Sequence, residues 1–121
     1  MSQRILVIED NEDNRRIVRD LLTSVGYEII EAVTGEEGVT AAGIQVPDLI
    51  LMDIQLPGLD GYDATRRIKA NSALRHIPII AVTSYALSGD DVKAYEAGCD
   101  GYVSKPFSPR ALLAKIREYL A

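Results

Sequence analysis

Residues 48–53 read Asp48-Leu49-Ile50-Leu51-Met52-Asp53. An unbroken apolar run between two aspartates lacks the in–out alternation of a half-exposed strand, so a strand here is covered on both faces. Such a strand belongs inside a parallel sheet flanked by helices. Pro47 resets the chain just before it. Upstream, Arg4-Ile5-Leu6-Val7-Ile8 repeats the pattern and reads as a first buried strand. Between the two, residues 11–25 place Ile17, Val18, Leu21, Leu22 and Val25 on one helical face, and Gly26 marks the stop. Tyr27 to Ala32 reads as a second strand. Thr34 with Glu37 three residues on is a helix-start signature, although Gly35, Gly38 and Gly43 lower that helix's propensity.

Downstream the alternation continues. Gly61 to about Leu74 reads as a helix with Ala64, Thr65 and Ile68 inward, and Ile77 to Val82 as a strand with Pro78 near its start. Ser88 to Ala97 is a helix ended by Gly98, Gly101 to Ser104 a short strand, and Pro109 to Leu120 a helix capped by Ser108. Five strand–helix units with apolar central strands predict an α/β fold: a flavodoxin-like (βα)5 doubly wound parallel sheet in the order 2-1-3-4-5. The crevice of such a sheet lies at the carboxyl ends of its strands, between strands one and three.

The chain has 121 residues, read as one domain over 1–121. Its 47% hydrophobic content argues against disorder. Eighteen acidic against 13 basic residues leave a formal charge of −5, which argues against direct nucleic-acid binding. No apolar run approaches the roughly 20 residues needed to span a bilayer. The apolar run at the N-terminus stops at Ile8, too short for a signal peptide. Cys99 is the only cysteine, so no internal disulfide forms; it reads as a small buried filler. The expectation is a cytoplasmic protein without a membrane partner.

The predicted crevice collects polar groups from every inner strand. Strand one ends in Glu9-Asp10, strand three in Asp53, strand four in Thr83-Ser84 and strand five in Lys105-Pro106. Each has an ordinary reading alone: Glu9-Asp10 as helix-start acids, Asp53 and Thr83 as turn formers, Lys105 as a solvated cation. Together they compose a phosphoryl-transfer site. Three converging carboxylates repel unless a cation sits among them. Oxygen donors with room for water suit Mg²⁺. The metal and Lys105 neutralise phosphoryl oxygens, Thr83 donates a hydrogen bond, and a carboxylate serves as nucleophile.

In ILVIEDN (5–11), DLILMDIQLPGLDG (48–61), IPIIAVTS (77–84) and GYVSKPF (101–107) the chain resembles the receiver domains of two-component response regulators. It resembles stand-alone receivers of the DivK type and receiver modules of hybrid histidine kinases. The resemblance implies that Asp53 is the phosphoacceptor. It implies that Glu9, Asp10, Asp53 and the backbone carbonyl of Gln55 hold Mg²⁺, that Thr83 and Tyr102 are the switch pair, and that Lys105 contacts the phosphoryl group. It also implies a cis bond between Lys105 and Pro106. The implied activity is a phosphorelay switch, limited to Mg²⁺-dependent self-phosphorylation and autodephosphorylation. The donor would be a histidine kinase or histidine phosphotransfer protein, and the output binding to a downstream protein target. The alternative setting is a receiver module of a larger hybrid kinase or response regulator. Ser84 stands where Ala is frequent in the family; the resemblance implies that Gln55 and Tyr85 tune water access, while the residues alone read equally as a solvated loop pair.

Two other classes fit less well. A haloacid-dehalogenase-type phosphohydrolase also phosphorylates an Asp, but has a general acid two residues later, where this chain has Gln55. A flavodoxin-like cofactor binder needs a Ser/Thr/Gly-rich phosphate loop after strand one, where this chain has the acidic EDNEDN. The arginines at 15, 16 and 19 read as a solvated helix face or a docking patch, His76 as a surface residue, and Tyr62, Tyr95 and Tyr119 as core or rim packing.

Overall fold

A computed structural model of the protein describes residues 3–83, 90–105 and 107–120. The strands are β1 (Arg4–Ile8), β2 (Glu28–Ala32), β3 (Leu49–Asp53), β4 (Ile79–Thr83) and β5 (Gly101–Ser104). The helices are α1 (Glu12–Ser24), α2 (Gly35–Gln45), α3 (Gly61–Ala70), α4 (Asp90–Ala97) and α5 (Pro109–Tyr119). All strand pairs are parallel and the order is β2-β1-β3-β4-β5, as the apolar runs predict.

Alternate residues of the central strands feed two separate cores. Leu6, Ile8, Ile50, Met52 and Ala81 pack with Ala64 and Ile68 of α3 and Ala94 of α4 on one face. Ile5, Val7, Leu49, Leu51 and Ile80 pack with Leu22 of α1 and Leu112 and Ile116 of α5 on the other. Burial on both faces is the reason these strands read as continuous apolar runs.

Helix starts are set by short polar side chains. Asn11, Thr34, Asp60 and Ser108 each accept a hydrogen bond from the backbone N–H three residues on. The glycine-rich α2 forms despite its poor propensity because Gly38 lets the helix approach the sheet: a Cβ there would fall 2.8 Å from Ile8 Cγ1. Tertiary packing outweighs the propensity deficit.

Most boundaries agree with the sequence expectation to within one residue, and two differ by more. Helix α3 ends at Ala70 rather than near Leu74, because Asn71 turns the chain: its N–H donates to Ile68 O and its Oδ1 accepts from Ala73 N at 3.0 Å. Leu74 stays buried from within the following turn. Strand β4 begins at Ile79 rather than Ile77, after Pro78, which has no N–H to give the ladder. Residues 88 and 89, the expected start of the fourth helix, lie outside the described residues. Tyr95 is 51% exposed rather than packed. Tyr62 packs on the α2–α3–α4 core, and Tyr119 donates to Asp100 O at 2.7 Å.

Gly61 fixes how closely α3 approaches the end of β3. Its N–H donates to Ile54 O at 3.1 Å. A Cβ there would lie 2.6 Å from Ile54 Cα and closer still to the carbonyl oxygen of Asp53. Gly61→Ala is therefore expected to destabilise the protein by about 1–3 kcal/mol through overpacking against backbone. Urea unfolding checks this; a midpoint equal to the parent's would show that the junction yields freely.

Candidate functional site

Parallel adjacency of β1 and β3 brings the residues after Ile8 beside the end of β3, since Ile8 pairs with Met52. Carboxylate oxygens of Glu9, Asp10 and Asp53 consequently lie within 4.8 Å of one another. Glu9 and Asp53 are buried, at 6% and 5% exposure, whereas Asp10 is exposed. Lys105, one residue past β5, reaches across β4's end to place Nζ 2.8 Å from Glu9 Oε1 and 3.7 Å from Asp53 Oδ2.

Backbone donors hold both buried carboxylates. Asn11 N–H donates to Glu9 Oε2 at 3.2 Å, and Gln55 N–H donates to Asp53 Oδ1 at 3.0 Å, closing a turn on the acid two residues earlier. Burial pushes the Glu9 carboxyl above its ordinary value, and its hydrogen bond with Asp53 and that group's charge push the same way; Lys105 and the Asn11 N–H oppose them. One ammonium does not balance three carboxylates. The donor set is hard oxygen throughout, and a divalent cation such as Mg²⁺ fits its chemistry.

Thr83, the last residue of β4, is buried at the same rim, and its hydroxyl accepts a hydrogen bond from Gln55 Nε2. Tyr102 is half-buried on β5, opposite Ala81, and packs against the α2–α3–α4 core. The structure thus gathers Glu9, Asp10, Asp53, Gln55, Thr83 and Lys105 at one edge, with Tyr102 further down β5. The Lys105–Pro106 bond, Ser84 and Tyr85 lie outside the described residues.

The contact of the Gln55 side chain with Thr83 was not evident from sequence; only the strand order shows that position 55 faces position 83. Arg15 makes another such contact. Its guanidinium donates to the backbone carbonyl of Glu9 at 3.0 Å and pairs with Glu31 at 3.0 Å. Arg19 also pairs with Glu31, and Arg16 with Asp13, so the expected basic patch is charge-matched. Cys99 is buried with Sγ 3.7 Å from Thr65 Oγ1, and His76 is exposed. A cleft of about 510 Å³ opens beside the acids, lined by Glu9, Asp53 and Lys105 together with Ile17, Val18 and Phe107. Among the described residues no helix is long and apolar enough to cross a membrane.

Residues 5–117 match the family described as the response regulator receiver domain. The chain is 43% identical over 120 residues to the polar-differentiation response regulator DivK of Brucella ovis, covering 99% of this chain and 98% of that protein. It is similar to the receiver domain of a sensor histidine kinase from Pseudomonas aeruginosa PAO1, with 40% identity, a TM-score of 0.92 and coverage of 99% and 98%. That crystal structure has a magnesium ion coordinated in the active-site cleft. The chemotaxis protein CheY4 of Vibrio cholerae, 24% identical with a TM-score of 0.93 and coverage of 98% and 99%, shares the fold.

The raised Glu9 carboxyl has a stability consequence. The folded state holds this proton more tightly than the unfolded state, so ionising Glu9 costs stability as pH rises from its unfolded value through its folded one. Without metal, that contribution is relieved on acidification from neutral pH towards the unfolded value. Glu9→Gln, which keeps an acceptor for Lys105, is expected to stabilise the metal-free protein at pH 7 by on the order of 1 kcal/mol. It should also flatten that part of the pH profile. Urea unfolding in a chelator at a series of pH values measures both; a variant less stable than the parent at pH 7 would contradict this account.

Proposed function

The chain belongs to the response regulator receiver domain family, and from that premise we propose that it is switched by a phosphoryl group carried on Asp53. Receiver domains take phosphoryl groups from histidine kinases or phosphotransfer proteins and act on downstream targets; they are signalling switches rather than metabolic enzymes. The observation that supports Asp53 most directly is its placement: a buried carboxylate at a strand end, within 4.8 Å of two further acids and 3.7 Å from an ammonium.

In this reading residues 1–121 form one receiver domain acting in the cytoplasm. Asp53 Oδ2 attacks the phosphorus of a phosphohistidine, because Oδ1 is held by Gln55 N–H. The O–P bond forms as the P–N bond breaks, and the imidazole leaves. Hydrolysis later transfers the phosphoryl group to water and regenerates the carboxylate. Glu9, Asp10, Asp53 and the Gln55 carbonyl hold Mg²⁺, which when bound neutralises the carboxylates and the phosphoryl oxygens. Lys105 shifts from Glu9 towards the new oxygens, and Thr83 donates its hydroxyl to them. Movement of Thr83 opens room for Tyr102, and the altered surface around β5 selects a protein partner.

Acetyl phosphate with Mg²⁺ is expected to add one phosphoryl group by intact mass, and Asp53→Asn or omission of Mg²⁺ to abolish the adduct. An adduct that survives Asp53→Asn would place the acceptor elsewhere. Mg²⁺ at about 100 times its Kd should stabilise the parent by ~2.7 kcal/mol; an Asp10→Asn variant stabilised equally would remove that residue from the metal site. Thr83→Ala should still take the phosphoryl group, but the NMR resonances of Tyr102 should no longer shift with it. A Tyr102 shift matching the parent's would disprove the coupling.

A further inference from the structure

Gln55 touches both halves of the site. Its backbone N–H donates to Asp53 Oδ1 at 3.0 Å, and its side-chain Nε2 donates to Thr83 Oγ1. No other described residue is hydrogen-bonded to both side chains. The chemistry of the second bond has a direction. A threonine hydroxyl has one proton and two lone pairs, while a carboxamide nitrogen only donates. Occupying one lone pair of Oγ1 with an N–H therefore leaves the threonine proton to be given to an acceptor. Phosphoryl oxygens are acceptors only. Accepting one hydrogen bond also polarises a hydroxyl and strengthens the one it donates.

We infer that the Gln55 side chain is a positioning residue that sets the polarity of Thr83, holding its hydroxyl as a donor to the phosphoryl group on Asp53. This rests on the phosphoacceptor reading and goes beyond it. It assigns the carboxamide a role separate from the Gln55 backbone: the backbone holds the nucleophile, and the side chain directs the hydroxyl that greets the product. Thr83 is 1% exposed, so the contact lies out of bulk solvent. A carboxylate at position 55 would do the opposite. Being acceptor-only when ionised, it would take the Thr83 proton for itself.

The test is a double-mutant cycle read by calorimetric titration of beryllofluoride, an acyl-phosphate mimic, in saturating Mg²⁺. Gln55→Leu and Gln55→Glu are each compared with the parent, then again in a Thr83→Ala background. Both variants keep the backbone N–H that holds Asp53. With Thr83 present, Gln55→Leu is expected to weaken binding about 3- to 10-fold, the range for one lost hydrogen bond. In the Thr83→Ala background the same change should be under about 2-fold. Gln55→Glu should lose more with Thr83 than without it. Equal losses in both backgrounds would mean that Gln55 acts on the phosphoryl group or on water directly, and would overturn the inference. Tighter binding by Gln55→Leu would overturn it as well, by showing that the amide restrains Thr83. A parent that binds no beryllofluoride would sink the phosphoacceptor reading itself, and this inference with it.

Discussion

Three carboxylates on one edge, two of them buried and met, among the described residues, by one ammonium, are the constraint on which the local structure depends. Parallel pairing of β1 with β3 leaves no choice in the matter: with Ile8 opposite Met52, the next residues of each strand emerge side by side. The surroundings then offset negative charge by every available means. Asn11 and Gln55 turn their amides onto Glu9 and Asp53, Lys105 reaches 2.8 Å from Glu9, and Arg15 steadies the Glu9 carbonyl. Backbone amides and charged donors aimed at a carboxylate are the strongest such contacts a protein can make. Burial nonetheless leaves the Glu9 carboxyl above its ordinary value.

The fold separates rigidity from response. Two packed cores clamp the five strands from both faces, and each acid or cation of the site sits at a strand end or within two residues of one. Gly61 brings α3 so close to the Asp53 carbonyl that a side chain there would not fit. Asp53 ends β3 and Glu9 follows β1 directly, whereas Thr83 is the last residue of β4 and Tyr102 is half-buried one strand away.

Charge on the opposite flank follows the same logic. Glu31 of β2 gathers Arg15 and Arg19 from α1, so that helix presents matched charges to solvent and an apolar contact to the cleft through Ile17 and Val18.

Much of this was legible in residue order. Runs such as Leu49 to Met52 and Ile5 to Ile8 determine buried strands, because no amphipathic alternative covers them, and alternation with helical periodicity determines a parallel sheet and the location of its crevice. The acids at 9, 10 and 53, the hydroxyl at 83 and the lysine at 105 could be assigned to one rim on that basis. Local polar competition decided where α3 stops, since the Asn71 side chain captures a backbone amide that helical periodicity alone would have kept in register. The glycine-rich α2 forms despite weak propensity, since Gly38 lies where a side chain would meet Ile8 and Gly35 where one would meet the Leu59 carbonyl. Only the tertiary structure decided that the side chain of Gln55 meets Thr83, that Arg15 holds the Glu9 carbonyl, and that Lys105 favours Glu9 over Asp53. Those are contacts between residues far apart in the chain, and their distances are set by how neighbouring strands and helices pack rather than by any pattern within one segment.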